Sequence, residues 1–425
     1  MVIGFDLTWM KVENNFGGVY QYAFRIVSAI VEHTNLNVVV IVAPAGKKIF
    51  EGFIGRKNFN EVVLGPIDSF LEIIEAHKID VLHTPIQRFF NLTFSIPSIT
   101  TLHDLQHFHY PEFFTPVEIE QRDFFYRLSA KVSERVIVSF QHVKDDIIKF
   151  YDIPADKIDV CPLGFDEPKK IDDSAFTDIR NKYHVPESYL FYSANTWRHK
   201  NHISLIQALK ILHEKYKLNI SLISTGQQEP SYFPELQREM DRLKINEYVN
   251  FTGYIPEGDV KILLKNASLA VIPTLYEAGS FPLMEAMAYG VPVICSNVTS
   301  LPNTIGDSRF VFDPNNPEEI ASKIVEMLTD KNLIEANREN SKKRVADDGW
   351  DKVANIFANS YQRAVDGFAQ KTSMFPSFKE SIKSFEQLSG AKTKELKAER
   401  DALLNSLSWK VTAPLRLIMG RIIKR

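Results

Sequence analysis

Short apolar runs alternate with segments of helical periodicity along most of the chain, and they do so in two successive sets. The first set is Val2–Leu7, Asn37–Ala43, Glu61–Gly65, Val81–Thr84, Ser98–Leu102, Arg135–Ser139 and Asp159–Leu163. The second is Tyr189–Ala194, Ile220–Thr225, Val249–Tyr254, Leu269–Thr274, Pro292–Ser296 and Arg309–Phe312. Strands alternating with helices predict parallel sheets wound by right-handed crossovers, here built twice. The polar, proline-bearing stretch Asp166–Pro186 divides the sets and reads as an interdomain linker. Ligands of open parallel sheets sit beyond the carboxyl ends of the strands. Two such sheets facing one another would enclose a cleft at their strand tips.

Composition narrows the class. At 425 residues the chain is too long for one ordinary core, and 44% apolar with 12% aromatic residues is ample for two. A net charge of −3 argues against a general nucleic-acid binder. Cys161 and Cys295 are the only cysteines and are far apart in sequence, which disfavours a disulfide framework or a zinc site. Met1–Leu7 already reads as a strand rather than a leader, and no apolar run approaches the length of a membrane span. A cytosolic protein is expected.

The pattern changes after about Gln370. Residues 371–390 read as a loose connector and Ala391–Trp409 as a charged helix. Residues 391–425 hold nine Lys/Arg against three Asp/Glu. From Pro414, the apolar Leu415, Ile418, Met419 and Ile422 share one helical face, with Arg416, Arg421, Lys424 and Arg425 elsewhere. That suits an amphipathic anchor on an anionic membrane surface, with Trp409 at the interface; a helix binding a partner protein is the competing reading.

Four strand-end segments carry the candidate chemistry. Residues 276–294, YEAGSFPLMEAMAYGVPVI, hold Glu277 and Glu285 with seven residues between them, around a helix start. Ser280 suits the N-cap, Pro282 the first turn and Gly290 the helix end. Amides at such a start can hold a phosphate, and the flanking carboxylates can grip sugar hydroxyls. The segment Ala194–His202, ANTWRHKNH, offers Lys200 and Arg198 as cations for a departing diphosphate, or simply a solvated basic turn. His103-Asp104 can present an oriented imidazole to the cleft, while His107 and His109 lack an identifiable third metal ligand. Gly17-Gly18 lets the backbone approach a ligand, or makes a tight turn; it is not the Gly-x-Gly-x-x-Gly of a dinucleotide site.

These four segments together resemble the motifs of retaining glycosyltransferases of family 4, particularly members that act like bacterial surface-polysaccharide mannosyltransferases. The resemblance runs from Met1 to about Ala369. It implies an α/β fold of the GT-B type: two facing Rossmann-like doubly wound domains, with a C-terminal helical tail. The implied domains are an acceptor domain over 1–166 and a nucleotide-sugar domain over 167–350. A helix over 351–370 would return to the first domain, and 371–425 would form the tail. The implied reaction moves a sugar from a nucleoside diphosphate sugar to a saccharide or lipid-linked acceptor, with no cofactor and no metal ion. By resemblance Glu285 holds the ribose, Glu277 the donor sugar, and Ser280, Phe281 and Leu283 offer amides to the diphosphate. Lys200, with Arg198 and Asn195, belongs to the donor-phosphate loop, and His103 approaches the transferred sugar. Gly17 and Gly18 face the diphosphate and acceptor, and Tyr254 lies beside the base. Relatives often carry Gly-Phe-Gly where this chain has Gly279-Ser280-Phe281, and their usual arginine falls at Ala194 or Asn195 here. The alternatives are a sugar-nucleotide epimerase of the same architecture and a non-catalytic nucleotide- or saccharide-binding scaffold. The location implied is cytoplasmic, with peripheral contact at the inner face of the cell membrane.

Overall fold

A computed structural model describes residues 1–374 apart from 13–16, 66–67, 92, 169–170 and 172, and beyond them only Glu395 and Ala398. Apart from those two residues, both helical, the expected charged helix and the basic amphipathic end lie outside the described residues.

The first sheet has seven parallel strands: β1 (Val2–Leu7), β2 (Asn37–Val42), β3 (Phe59–Val63), β4 (Val81–Thr84), β5 (Ser98–Thr101), β6 (Arg135–Val138) and β7 (Ile158–Val160), in the order β3-β2-β1-β4-β5-β6-β7. The second has six: β8 (Tyr189–Ser193), β9 (Ser221–Thr225), β10 (Val249–Gly253), β11 (Leu269–Ile272), β12 (Val293–Ser296) and β13 (Val311–Phe312), in the order β10-β9-β8-β11-β12-β13. Helices cover both faces of each sheet, so the central strands are near-continuous apolar runs: β2 reads NVVVIV and buries its last five residues. β3 begins two residues before the expected Glu61, because Phe59 packs into an aromatic cluster with Phe50 and Phe53. The polar neighbours Asn58 and Asn60 hide that start from a hydropathy reading.

Strand order reverses between β1 and β4 in the first sheet and between β8 and β11 in the second. Crevices open at such reversals, outside the strand ends. The helix Gly18–His33 leaves β1 at the first reversal and buries Tyr22, Ala23, Ile26, Val27 and Ile30 along one stripe. Each large apolar side chain so buried contributes about 1.5–3 kcal/mol.

The chain crosses between the sheets twice, at neighbouring places. Phe165 N–H donates to Asp348 O at 2.9 Å, and Phe165 pairs with Gly349 in a parallel bridge. A Cβ on Gly164 would lie 2.8 Å from the Trp350 Cα, so no larger residue fits under the second crossing. The helix Trp350–Met374 then packs back on the helix Gly18–His33. Its Tyr361 is fully buried and bonds His83 Nδ1 at 3.0 Å. Its Ser360 donates to Asp159 at 2.5 Å, beside Arg135 and Arg363 on the same carboxylate. The stretch Asp166–Pro186 is more than a connector, since it contains the helix Phe176–Lys182, tied to the second domain by Lys182–Asp259 at 2.8 Å.

Candidate functional site

The second-domain half of the site is built where β8 and β11 end. After β8 the chain makes a short turn, Arg198–Lys200, and Asn201 takes a left-handed conformation at φ 55°. Asparagine tolerates that region, and its amide holds the turn in place by donating to Pro273 O at 2.9 Å and Pro314 O at 2.8 Å. His199 O in turn accepts from Leu275 N–H at 2.7 Å and Thr274 Oγ1 at 2.8 Å. The two loops are therefore stitched together by backbone. Lys200 Nζ then meets Glu277 Oε1 at 2.5 Å in a pair with only 15% and 9% of the side chains exposed. Glu277 is fixed further through its backbone, by Thr299 and Ser300 hydroxyls at 3.1 and 3.2 Å.

Glu285 lies one helix further on. Ser280 caps the helix Phe281–Ala288, accepting from Leu283 N–H at 3.4 Å, and Pro282 sits in the first turn. This local chemistry limits what the helix start can offer an anion: Pro282 has no N–H and the Leu283 amide is already engaged. Burial pushes the Glu285 carboxyl up, opposed by Arg25 and Lys261 nearby. Arg25 comes from the first domain. Its guanidinium is 3.4 Å from Glu285, 2.6 Å from Asp166, and lies over the Phe281 ring at 4.3 Å.

The first-domain half faces these groups. Gly17 caps the helix Gly18–His33 at φ 109°, a conformation suited to glycine, and a Cβ on Gly18 would have the Phe281 ring as its neighbour at 4.0 Å. Two helix starts from different domains thus meet. His103, after β5, is 7% exposed; it packs on the edge of Tyr22 at 4.6 Å, with Nε2 3.3 Å from Pro85 O. A carbonyl can only accept, so that nitrogen carries the proton. Burial pulls the imidazole down to about 4, leaving it neutral at pH 7. Asp104 is raised by burial and lies 4.0 Å from Arg122. The loop carrying Glu277 is cradled by the first domain, where Tyr110 donates to Leu275 O at 3.1 Å and His109 packs against Tyr276.

Of the residues singled out in the sequence, the structure brings Lys200 to Glu277 and Gly18 to Phe281, with Glu285 on the next turn. Arg198 is directed elsewhere: it pairs with Glu235 at 2.8 Å and lies over Tyr232, away from the Lys200–Glu277 pair. Asn195 is a loop fastener, its side chain accepting from Gln227 N–H at 2.8 Å. Tyr254 is 55% exposed beyond β10. His107 and His109 do not converge, because His109 bonds Asp146 at 2.7 Å while His107 packs against Phe108 and Tyr126. Among the described residues no group of three or more His, Cys, Asp or Glu could hold a metal. Arg25 was missed, since an arginine in an amphipathic helix carries no local mark of a partner 260 positions away.

Comparison with known proteins places this geometry. The family described as "Glycosyltransferase Family 4" matches residues 16–168, and "Glycosyl transferases group 1" matches 176–344. Among curated proteins, the O-antigen chain mannosyltransferase B of Escherichia coli is 27% identical over 62% of this chain and 70% of its own length. The O-antigen chain mannosyltransferase RfbU of Salmonella typhimurium is 28% identical over 54% and 61%. The serotype-specific mannosyltransferase WbdA of E. coli is 24% identical, and only 29% of its length is spanned. Among solved structures, Anabaena Alr3699/HepE in complex with UDP and glucose superposes with a TM-score of 0.64 at 17% identity, covering 85% of this chain and 99% of its own. WaaG, a glycosyltransferase involved in lipopolysaccharide biosynthesis, gives 0.60 at 17%, covering 84% and 98%. With two facing doubly wound domains and both family matches laid end to end over them, the chain belongs to the family 4 glycosyltransferases of the GT-B fold.

Proposed function

We propose that this protein transfers a mannosyl residue from a nucleoside diphosphate sugar to a saccharide or lipid-linked acceptor during assembly of a bacterial surface polysaccharide, with retention at the anomeric carbon. The observation that carries the reading is the buried Lys200–Glu277 pair, held at the strand-order reversal on a loop that Tyr110 and His109 of the first domain contact. The mannosyl choice draws on the relatives, several of which are named as mannosyltransferases of O-antigen.

In this reading Lys200 donates to the diphosphate and lowers the cost of the charge that develops as it leaves; fixed cations in a closed cleft suit that task. Glu277 accepts from hydroxyls of the donor sugar, and Glu285, its carboxyl pushed up by burial and opposed by Arg25, holds the ribose. Arg25 accompanies Glu285 and supplies the second positive charge that Arg198 does not. His103, neutral and with its free nitrogen able to accept, contacts the transferred sugar. Neither glutamate acts as a covalent nucleophile of the kind that retaining hydrolases use. No metal ion is assigned a role, since protein cations can carry the leaving-group charge.

The test is a panel of nucleoside diphosphate sugars screened for thermal stabilisation, followed by transfer to free mannose or mannobiose with the product anomer read by NMR. Stabilisation by the mannosyl donor and an α-linked product are expected. Consumption of donor without acceptor would favour an epimerase, and nucleotide binding without any transfer would favour a scaffold.

A further inference from the structure

Beside the His103 loop, on the first domain, lies a cavity of about 280 Å³ that the donor chemistry does not use. It is lined by Gln87, Arg88 and Phe90 from the segment after β4, and by Gln121, Arg122 and Phe125 among the residues of the helix Pro116–Val132. At the low end of the roughly 300–1,000 Å³ usual for small-molecule sites, it has room for a small ligand group. Two arginines dominate its chemistry. Arg88 has no carboxylate partner among the described residues; its guanidinium lies over Phe90 at 4.6 Å and Phe125 at 5.6 Å. Arg122 is 4.0 Å from Asp104, a long ion pair, and its charge also bears on His199 across the cleft. The one carboxylate of the lining, Glu118, is committed to Thr115, whose N–H and Oγ1 both donate to it at 2.8 Å. Two guanidiniums against that one carboxylate leave the lining with a net positive charge and planar donors suited to phosphate oxygens.

An apolar strip borders it. Val117, Phe124 and Leu128, at 60%, 61% and 40% exposure, share one face of the same helix and meet the cavity lining at Gln121. Phe90, at 43%, adds a further exposed ring at the rim. Four apolar side chains exposed beside two guanidiniums ask for a ligand that is both anionic and hydrocarbon-bearing. We infer that this cavity takes the phosphate of an acceptor saccharide linked through that phosphate to a hydrocarbon chain, and that the Val117–Phe124–Leu128 strip takes the chain. Arg88 is then a residue that decides acceptor class, and it lies outside the donor machinery. The inference rests on the glycosyltransferase reading and deepens it.

Binding of three probes by calorimetry below their micelle concentrations tests it: mannosyl dodecyl phosphate, dodecyl mannoside and mannose 1-phosphate. The full chain should bind the first at least about tenfold tighter than either of the others, a reasonable share for one charge-assisted contact. Arg88→Gln should remove the advantage over dodecyl mannoside, and Phe124→Ser with Leu128→Ser the advantage over mannose 1-phosphate. Both variants should keep wild-type thermal stabilisation by the nucleoside diphosphate sugar, which shows that they fold. Equal affinity for the phosphodiester and the neutral glycoside, or an Arg88→Gln protein that binds as wild type, overturns the inference. Binding to phosphatidylglycerol vesicles that is insensitive to the soluble phosphodiester overturns it in favour of a membrane contact. If no nucleoside diphosphate sugar stabilises the protein, the functional reading fails instead.

Discussion

Lys200 and Glu277 form the tightest charged contact of the site, and their energetics separate folding from catalysis. Removing one partner of a buried pair leaves the other uncompensated and typically costs about 3–5 kcal/mol, whereas replacing both can be close to neutral. Lys200→Met should therefore destabilise the protein in urea titrations, and adding Glu277→Gln should restore most of the loss. Transfer should stay depressed by about 10²–10³ in both proteins, the scale of losing one preorganised donor at a developing charge. Recovery of transfer in the double variant would mean that the pair is structural only. Histidines set the pH behaviour. His83, His103, His107, His199 and His202 are all pulled down, to between about 3 and 4, chiefly by burial. A group depressed in the folded state binds fewer protons there than in the unfolded chain. The stability it contributes is full above its unfolded value near 6.5 and is lost as pH falls toward 4. Urea midpoints should thus decline steadily from pH 6.5 to 4, with raised carboxyls such as Asp104 opposing part of the loss. Transfer rates between pH 6 and 8 should show no step from His103.

The helix Phe281–Ala288 shows how much one element's start depends on its cap. Ser280→Gly costs the helix only a few tenths of a kcal/mol, since glycine is itself a fair N-cap. It should release the Leu283 amide, so calorimetry should find tighter binding of the nucleoside diphosphate; unchanged binding would mean that this amide never meets the phosphates. Much of this element was readable in advance: Ser280, Pro282 and Gly290 are local punctuation, and the helix falls between them. So were the strands, because β2 and β11 are apolar runs that owe little to distant residues. Where reading failed, the determinants are remote. Arg198 looks like a phosphate ligand until the helix Phe233–Leu243 supplies Glu235, and Arg25 looks like a surface residue until Glu285 arrives from another domain. Charge along a sequence gives a residue's capacity, whereas its partner is chosen by the fold.

At the scale of the molecule, the two domains meet through polar contacts, aromatic packing and closely fitted turns. Arg25, Asp166 and Trp350 form a chain across the boundary, with the Trp350 indole N–H donating to Asp166 at 2.8 Å. Gly164 fits under Trp350 with no space to spare. Gly164→Ala should push Trp350 out and cost about 1–3 kcal/mol, the usual scale of overpacking. The same change should weaken donor binding, because Arg25 and Glu285 hang on the contact that moves; stability lost with donor affinity intact would separate the hinge from the site.

The paired crossings at Phe165 and Gly349 carry one more consequence. Because the ends of the second domain lie a single hydrogen bond apart, residues 166–349 form a cassette inserted into an otherwise continuous first domain, whose last helix, with Tyr361 beneath β4, arrives only after the cassette is finished. The second domain could then be exchanged between relatives at one junction, while any chain cut at 349 would deprive the first domain of Val353, Phe357 and Tyr361 from its core.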